Sequence, residues 1–349
     1  MKKSILAAFT LAVMAVNFAA PSLAETKRGL AASRATELVA LLPASDAVAS
    51  MDARRFLGDA LPKLLSGNQA LLGKMTAQVD EIQSKTGIDL RQFDSVAVGS
   101  TIKKISAKKF DFDPVAVARG QVNSASVISG AKTAANGKYR EEKVGTRTLV
   151  VFTADAIAKR HQSPAADPKK APVIDSVAGT LSREMAVTAL DGNTVLLGSL
   201  TRVRETLAAK SRVSPELAGY LGRSDGAIID FAGNVPEGMS ALLPMENDEL
   251  GRNIDSIRTV YGSMAMSGDT TLLNATARTM QAEQARSLKD TLDGLQLLGK
   301  AFLGASRSAD KQVYARMVEN VRFALNGNEV SMALSVPQSD INVLVGMIK

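Results

Sequence analysis

Along this chain the spacing of apolar positions switches between helical and strand-like periods, and one succession of periods comes twice. The first round opens at Ser45 with a turn and the apolar-rich stretch Ala47-Val48-Ala49-Ser50-Met51. The second opens at Ser224 and runs into Ala227-Ile228-Ile229-Asp230-Phe231. In the first round Leu57, Leu61, Leu64 and Leu65 fall at helical spacing, and Gly67-Asn68 interrupts them. Leu71, Leu72, Met75, Val79 and Ile82 resume it as far as Gly87, a residue suited to end a helix in the left-handed conformation. An Ile-Asp pair follows in each round, Ile88-Asp89 and Ile254-Asp255. Next come a strand (95–99 and 263–267), a partner strand (115–119 and 273–278) and a helical stretch (124–135 and 282–303).

Each round closes on a hairpin and a short helix. Residues 186–190 turn at Asp191-Gly192-Asn193 into 194–197, and residues 321–325 turn at Asn326-Gly327-Asn328 into 329–332. Asp-Gly and Asn-Gly supply the positive φ that tight hairpins use, so both glycines are expected there or beside a residue that adopts it. The helices expected after them are 201–209 and 339–347. The pattern predicts an α+β protein of two similar units, each a mostly antiparallel sheet packed against amphipathic helices. The first unit, 25–215, carries an extra hairpin over 139–152 and a loop with Pro164, Pro168 and Pro172. The second unit is 216–349, and a linker is expected around 211–222.

Residues 1–24 have the order of a signal peptide: Lys2 and Lys3, an apolar run from Ile5 to Ala20, and a small-residue site ending at Ala24. The expectation is export to the periplasm or beyond, with Glu25 as the first mature residue. No later stretch is long and apolar enough to predict an integral membrane span. With no cysteine there are no disulfides and no lipidated cysteine, so stability must come from apolar burial. Hydrophobic residues make up 46% of the chain but aromatic ones only 4%, with no Trp. That composition predicts an aliphatic core and disfavours proteins that stack sugars or nucleic-acid bases; no nucleic-acid partner is expected. The formal net charge of +7, two of it from Lys2 and Lys3, fits weak attraction to anionic polymers or headgroups.

Catalytic chemistry finds little to work with. His161 is the single histidine, flanked by Lys159 and Arg160 at the start of the proline loop, and reads as a solvated residue. Ser129-Gly130-Ala131-Lys132 and Ser100-Thr101-Ile102-Lys103 fit the serine-lysine spacing, and Lys85-Thr86-Gly87 fits a companion motif of penicillin-binding proteins. Their order along the chain is wrong for that family. Gly294 to Lys300 has the spacing of a phosphate-binding loop, but Ala301 stands where a hydroxyl would hold magnesium. The stretch reads instead as a core-facing helix through Leu288, Leu292, Leu295, Leu298 and Phe302. The acidic groups Asp111-Phe112-Asp113 and Glu246-Asn247-Asp248-Glu249 lack calcium-loop spacing. No catalytic, cofactor-binding or metal-ligating residue is therefore assigned. Lys103, Lys104, Lys108 and Lys109 form the densest basic cluster, beside Ile102, Ile105 and Phe110, and are the candidate contact with an anionic surface.

With its Leu42-Pro43-Ala44-Ser45-Asp46-Ala47-Val48 opening, its Ile88-Asp89 pair and its Ser95-Val96-Ala97-Val98-Gly99 strand, the chain resembles uncharacterised exported bacterial proteins that carry a duplicated α+β domain of unknown function. Asn253 stands where the first round has Gly87, a departure from that pattern. The resemblance implies the architecture and brings no catalytic residues. The reading is an exported, non-enzymatic envelope protein that binds an envelope partner or an anionic surface, or has a structural role. Its alternatives are a periplasmic carrier of an apolar ligand, held against the helix at 288–303, and a hydrolase using a carboxylate pair.

Overall fold

The computed structural model describes residues 37–106, 109–153, 184–242, 248–304 and 308–348. The leader, His161, the proline loop and Lys108 lie outside them. The chain divides into two units. The first comprises residues 37–54 and 74–218, the second residues 55–73 and 219–348. In chain order the elements begin with β1 (Ala47–Asp52), α1 (Ala53–Arg55), a π-helical turn (Phe56–Ala60), α2 (Leu61–Leu64) and α3 (Gln69–Thr86). Then come β2 (Phe93–Ser106), β3 (Lys109–Gly120), α4 (Ser124–Ala135), β4 (Tyr139–Val144), β5 (Arg147–Thr153), β6 (Glu184–Ala189), β7 (Thr194–Ser199), α5 (Leu200–Ala208) and α6 (Pro215–Ala218). The remainder is β8 (Ala227–Asn234), α7 (Asp248–Asp255), β9 (Ile257–Ser267), β10 (Thr270–Thr279), α8 (Ala282–Gly304), α9 (Ala309–Asn320), β11 (Arg322–Asn326), β12 (Glu329–Pro337) and α10 (Gln338–Gly346). The protein is α+β, with antiparallel strand pairing throughout both units.

In the first unit the strand order is β1-β2-β3-β7-β6-β5-β4. Asn123 caps α4 by accepting from the amides of Ala125 and Ser126, and Asn136 ends it at φ 51°. One face of the sheet packs Val150, Phe152, Met185, Val187 and Leu197 against Ile128, Ala131 and Ala135 of α4. The alternate residues Val117, Ala186 and Leu196 are buried as well, so the sheet is covered on both faces. Helix α5, capped by the Ser199 hydroxyl, packs on β3, β6 and β7.

The second unit orders its strands β8-β9-β10-β12-β11, which matches β1-β2-β3-β7-β6 strand for strand. Hairpin β4–β5 has no counterpart there. On one face Ala285 and Leu288 of α8 close against Ile257, Ala277 and Val330. Beyond Leu292 the helix leaves the sheet. Gln296 Nε2 donates to the carbonyls of Val318 and Val321, and Gly299 sits against Val318, so this half leans on α9. Leu295, Leu298 and Phe302, expected in the core, are therefore exposed, Phe302 at 81%. The closing helix α10 also departs from its counterpart α5. It packs on α9 and α2 rather than across the strands. Asp340 takes a two-pronged ion pair from Arg316, 2.6 Å at the nearest, and Gln338 Nε2 donates to the Lys63 carbonyl at 2.6 Å.

The turns divide into two kinds. Between β4 and β5, β9 and β10, and β11 and β12, two-residue turns start with Gly145, Gly268 and Gly327, at φ 60°, 58° and 58°. Glycine at the first central position is what such turns require. Gly192 is different: no positive φ occurs at it or beside it. That connection is longer, and the Asp191 carboxylate accepts from the Asn193 amide within it. The Gly192 and Asn193 carbonyls accept from the amides of Ser124 and Gly120. External hydrogen bonds shape the loop in place of a left-handed residue. Residues 211–222, expected as a linker, contain α6 and bury Val213, Leu217, Tyr220 and Leu221.

Candidate functional site

The predicted basic cluster lies on the β2–β3 hairpin. Strand β1 pairs with β2 no further than Ala47 opposite Ser100, and β7 pairs with β3 only from Val115 onward. From Thr101–Asp113 to Ser106–Lys109 the two strands pair with each other as a ribbon. One extra tie comes from the Asp46 carboxylate, which accepts from the Ile102 amide at 2.8 Å. Lys103 and Lys104 are thus strand residues, and both are exposed. Alternation turns them to opposite faces of the ribbon. Lys103 shares a face with Asp111 directly across, and Lys104 lies opposite the buried Phe110. Lys109 belongs to β3. Ile105 is 59% exposed at the tip. The ribbon places Lys103, Lys104 and Ile105 together at an exposed end, but the lysines do not form one face.

A second constellation was not singled out from the sequence. On the face of the second unit's sheet away from α8, the register aligns Asp230, Ser263 and Asn274 in a row across β8, β9 and β10. All three are buried, Asp230 at 6% exposure. The Ser263 hydroxyl donates to Ser224 Oγ at 2.8 Å and accepts from Asn274 Nδ2 at 2.9 Å. Burial pushes the Asp230 carboxyl up to about 7, opposed by the Gly222 amide, which donates to it. Further along the same face, Tyr261 stacks on Tyr220 with ring centres 4.2 Å apart. The Arg223 guanidinium lies 4.6 Å from the first ring centre, that of Tyr220, and 5.1 Å from that of Tyr261. Arg278 donates to the Tyr220 hydroxyl at 2.7 Å. Burial, and then the Glu329 carboxylate, raise the Tyr261 hydroxyl above its ordinary value. The one signal for this group in the sequence is Asp230 itself, a lone charge inside Ala227-Ile228-Ile229-Asp230-Phe231.

The other sequence motifs fall in structural places. Lys85-Thr86-Gly87 ends α3, with Gly87 at φ 73°. Ser129 and Lys132 lie in α4, where Lys132 pairs with Glu141 at 2.6 Å. The Gly294 to Lys300 stretch is continuous helix. Among the described residues no group of three or more His, Asp or Glu side chains is placed to hold a metal ion, and no helix is long and apolar enough to cross a membrane.

No family model matches the chain, and no curated protein matches it. Among solved structures, the bacterial (Treponema) protein TP0453 is similar in several crystal forms. Form I gives a TM-score of 0.41 at 7% identity, over 88% of this chain and 96% of that one. Form III gives 0.43 at 7%, over 89% and 98%. Form IV gives 0.43 at 7%, over 91% and 100%.

Proposed function

We propose that this chain is an exported, non-enzymatic envelope protein, built on an internal duplication, that contacts an anionic envelope surface through the tip of its β2–β3 ribbon. The observation that carries the reading is the ribbon itself. It extends past its neighbours and brings Lys103, Lys104 and the exposed Ile105 to one end. Cations beside an exposed aliphatic residue suit a surface of anionic headgroups, which offers charge outside and hydrocarbon beneath. The matching strand orders of the two units support the duplication. A carrier of an apolar ligand draws no support from α8, whose buried positions pack directly onto the sheet.

The test is sedimentation of the mature protein with vesicles containing phosphatidylglycerol, against vesicles of phosphatidylcholine alone. Binding is expected to the anionic vesicles only, to fall with salt, and to weaken several-fold in K103E/K104E. Equal binding to both vesicle types, or none, or an unaffected double variant, overturns the reading.

A further inference from the structure

Residues 219–226 cross the polar face of the second unit's sheet and are fastened to it at several points. Tyr220 stacks on Tyr261 of β9 and accepts from Arg278 of β10. The Gly222 amide donates to Asp230 of β8. Ser224 accepts from Ser263 of β9. Where the segment enters β8, Arg55 donates to the carbonyls of Gly226 at 3.1 Å and Ala227 at 3.4 Å. Gly222 and Gly226 stand at φ 67° and 69°, on either side of Arg223, Ser224 and Asp225. These are the backbone joints at which the middle of the segment can swing. The segment thus lies against this face at β8, β9 and β10.

We propose that residues 219–226 are a strap that closes over this face when Asp230 is protonated and opens when it ionises. A protonated carboxyl still accepts from the Gly222 amide and costs little to bury. A carboxylate in the same place has lost its water, and the Gly222 amide offsets that loss only in part. Opening the strap restores water to it. Within the unit, Ser263 of β9 lies directly across from Asp230 and the Gly222 amide donates to it; Arg55, the cation at the entry to β8, donates to the Gly226 and Ala227 carbonyls. The ionisable residues of those elements are otherwise engaged. Arg223 lies over the tyrosine rings, Asp225 is exposed, Arg258 donates to the Asp255 carbonyl and Tyr261 is stacked. None of them contributes to the position of Asp230's titration, which burial places near neutrality and the Gly222 amide opposes.

Trypsin reads the strap directly, because it cuts after Arg223. The rate of cleavage at Arg223-Ser224, followed by mass spectrometry, is taken as the ratio of wild type to D230N at each pH, which cancels the enzyme's own pH dependence. Asparagine keeps an oxygen for Gly222 and does not ionise. The ratio should rise several-fold from pH 6 to pH 8.5, and a flat ratio overturns the proposal. If D230N does not fold, hydrogen exchange of the wild type decides the matter. Corrected for intrinsic rates, amides of 219–226 should lose about tenfold protection over that range, while β10 amides keep theirs. Unchanged protection in the strap, or equal loss in β10, overturns it.

Discussion

Asp230 shows how much one residue's surroundings can change its chemistry. Its neighbours in sequence are Ile229 and Phe231, and the strand they form puts the carboxyl on a buried face. There the folded state holds a proton until about pH 7, whereas an unfolded chain releases it near pH 3.9. The folded state binds more protons between those values, so this residue's contribution to stability is full below about pH 4 and declines as pH rises to about 7. The decline amounts to about 4 kcal/mol if the strap stays shut, and to less if it opens. Denaturant melts of wild type and D230N from pH 4 to 8 should therefore diverge, with D230N gaining relative stability as pH rises. A constant difference across that range would contradict the burial of a proton-binding carboxyl.

At the scale of elements, α8 illustrates what periodicity can and cannot tell. Leu288, Leu292, Leu295, Leu298 and Phe302 recur at helical spacing, and the helix forms as that spacing predicts. Spacing says which residues share a side of the helix, not how far the neighbouring sheet extends beneath it. Ala285 and Leu288 meet Val330, whereas the last turns meet α9 through Gln296 and Gly299. Two truncations separate the halves. Leu288→Ala should cost about 2–5 kcal/mol, as a buried leucine does. Phe302→Ala should stay within about 0.5 kcal/mol of wild type, as an exposed site does. Equal losses in thermal or urea melts would mean that the far half is also covered.

For the whole molecule, the outstanding expectation is export, which rests on the order of residues 1–24. Mass spectrometry of protein made in a secreting bacterial host should find a mature chain beginning at Glu25; an uncleaved cytoplasmic product would reverse it. The strands, the hairpins and the helices α3, α4, α5, α8 and α10 were legible in the sequence because they follow from local period and glycine turns, read within a few residues, whereas α9 was not expected and α6 lies where a linker was. The same strand-helix-hairpin order could be traced twice, down to the extra hairpin at 139–152. What required the tertiary structure was everything that depends on a distant partner. The Gly192 turn takes its shape from the amides of Gly120 and Ser124. Helix α10 docks on α9 and α2 because Arg316 and Lys63 meet Asp340 and Gln338 there. Lysines close in sequence part to opposite faces once they lie in a strand. Asp230 keeps its proton because folding buries it, against the pull of the Gly222 amide, and no local pattern announces that burial. Local geometry is set by neighbours along the chain, while burial and charge are set by neighbours in space, and only folding brings those together.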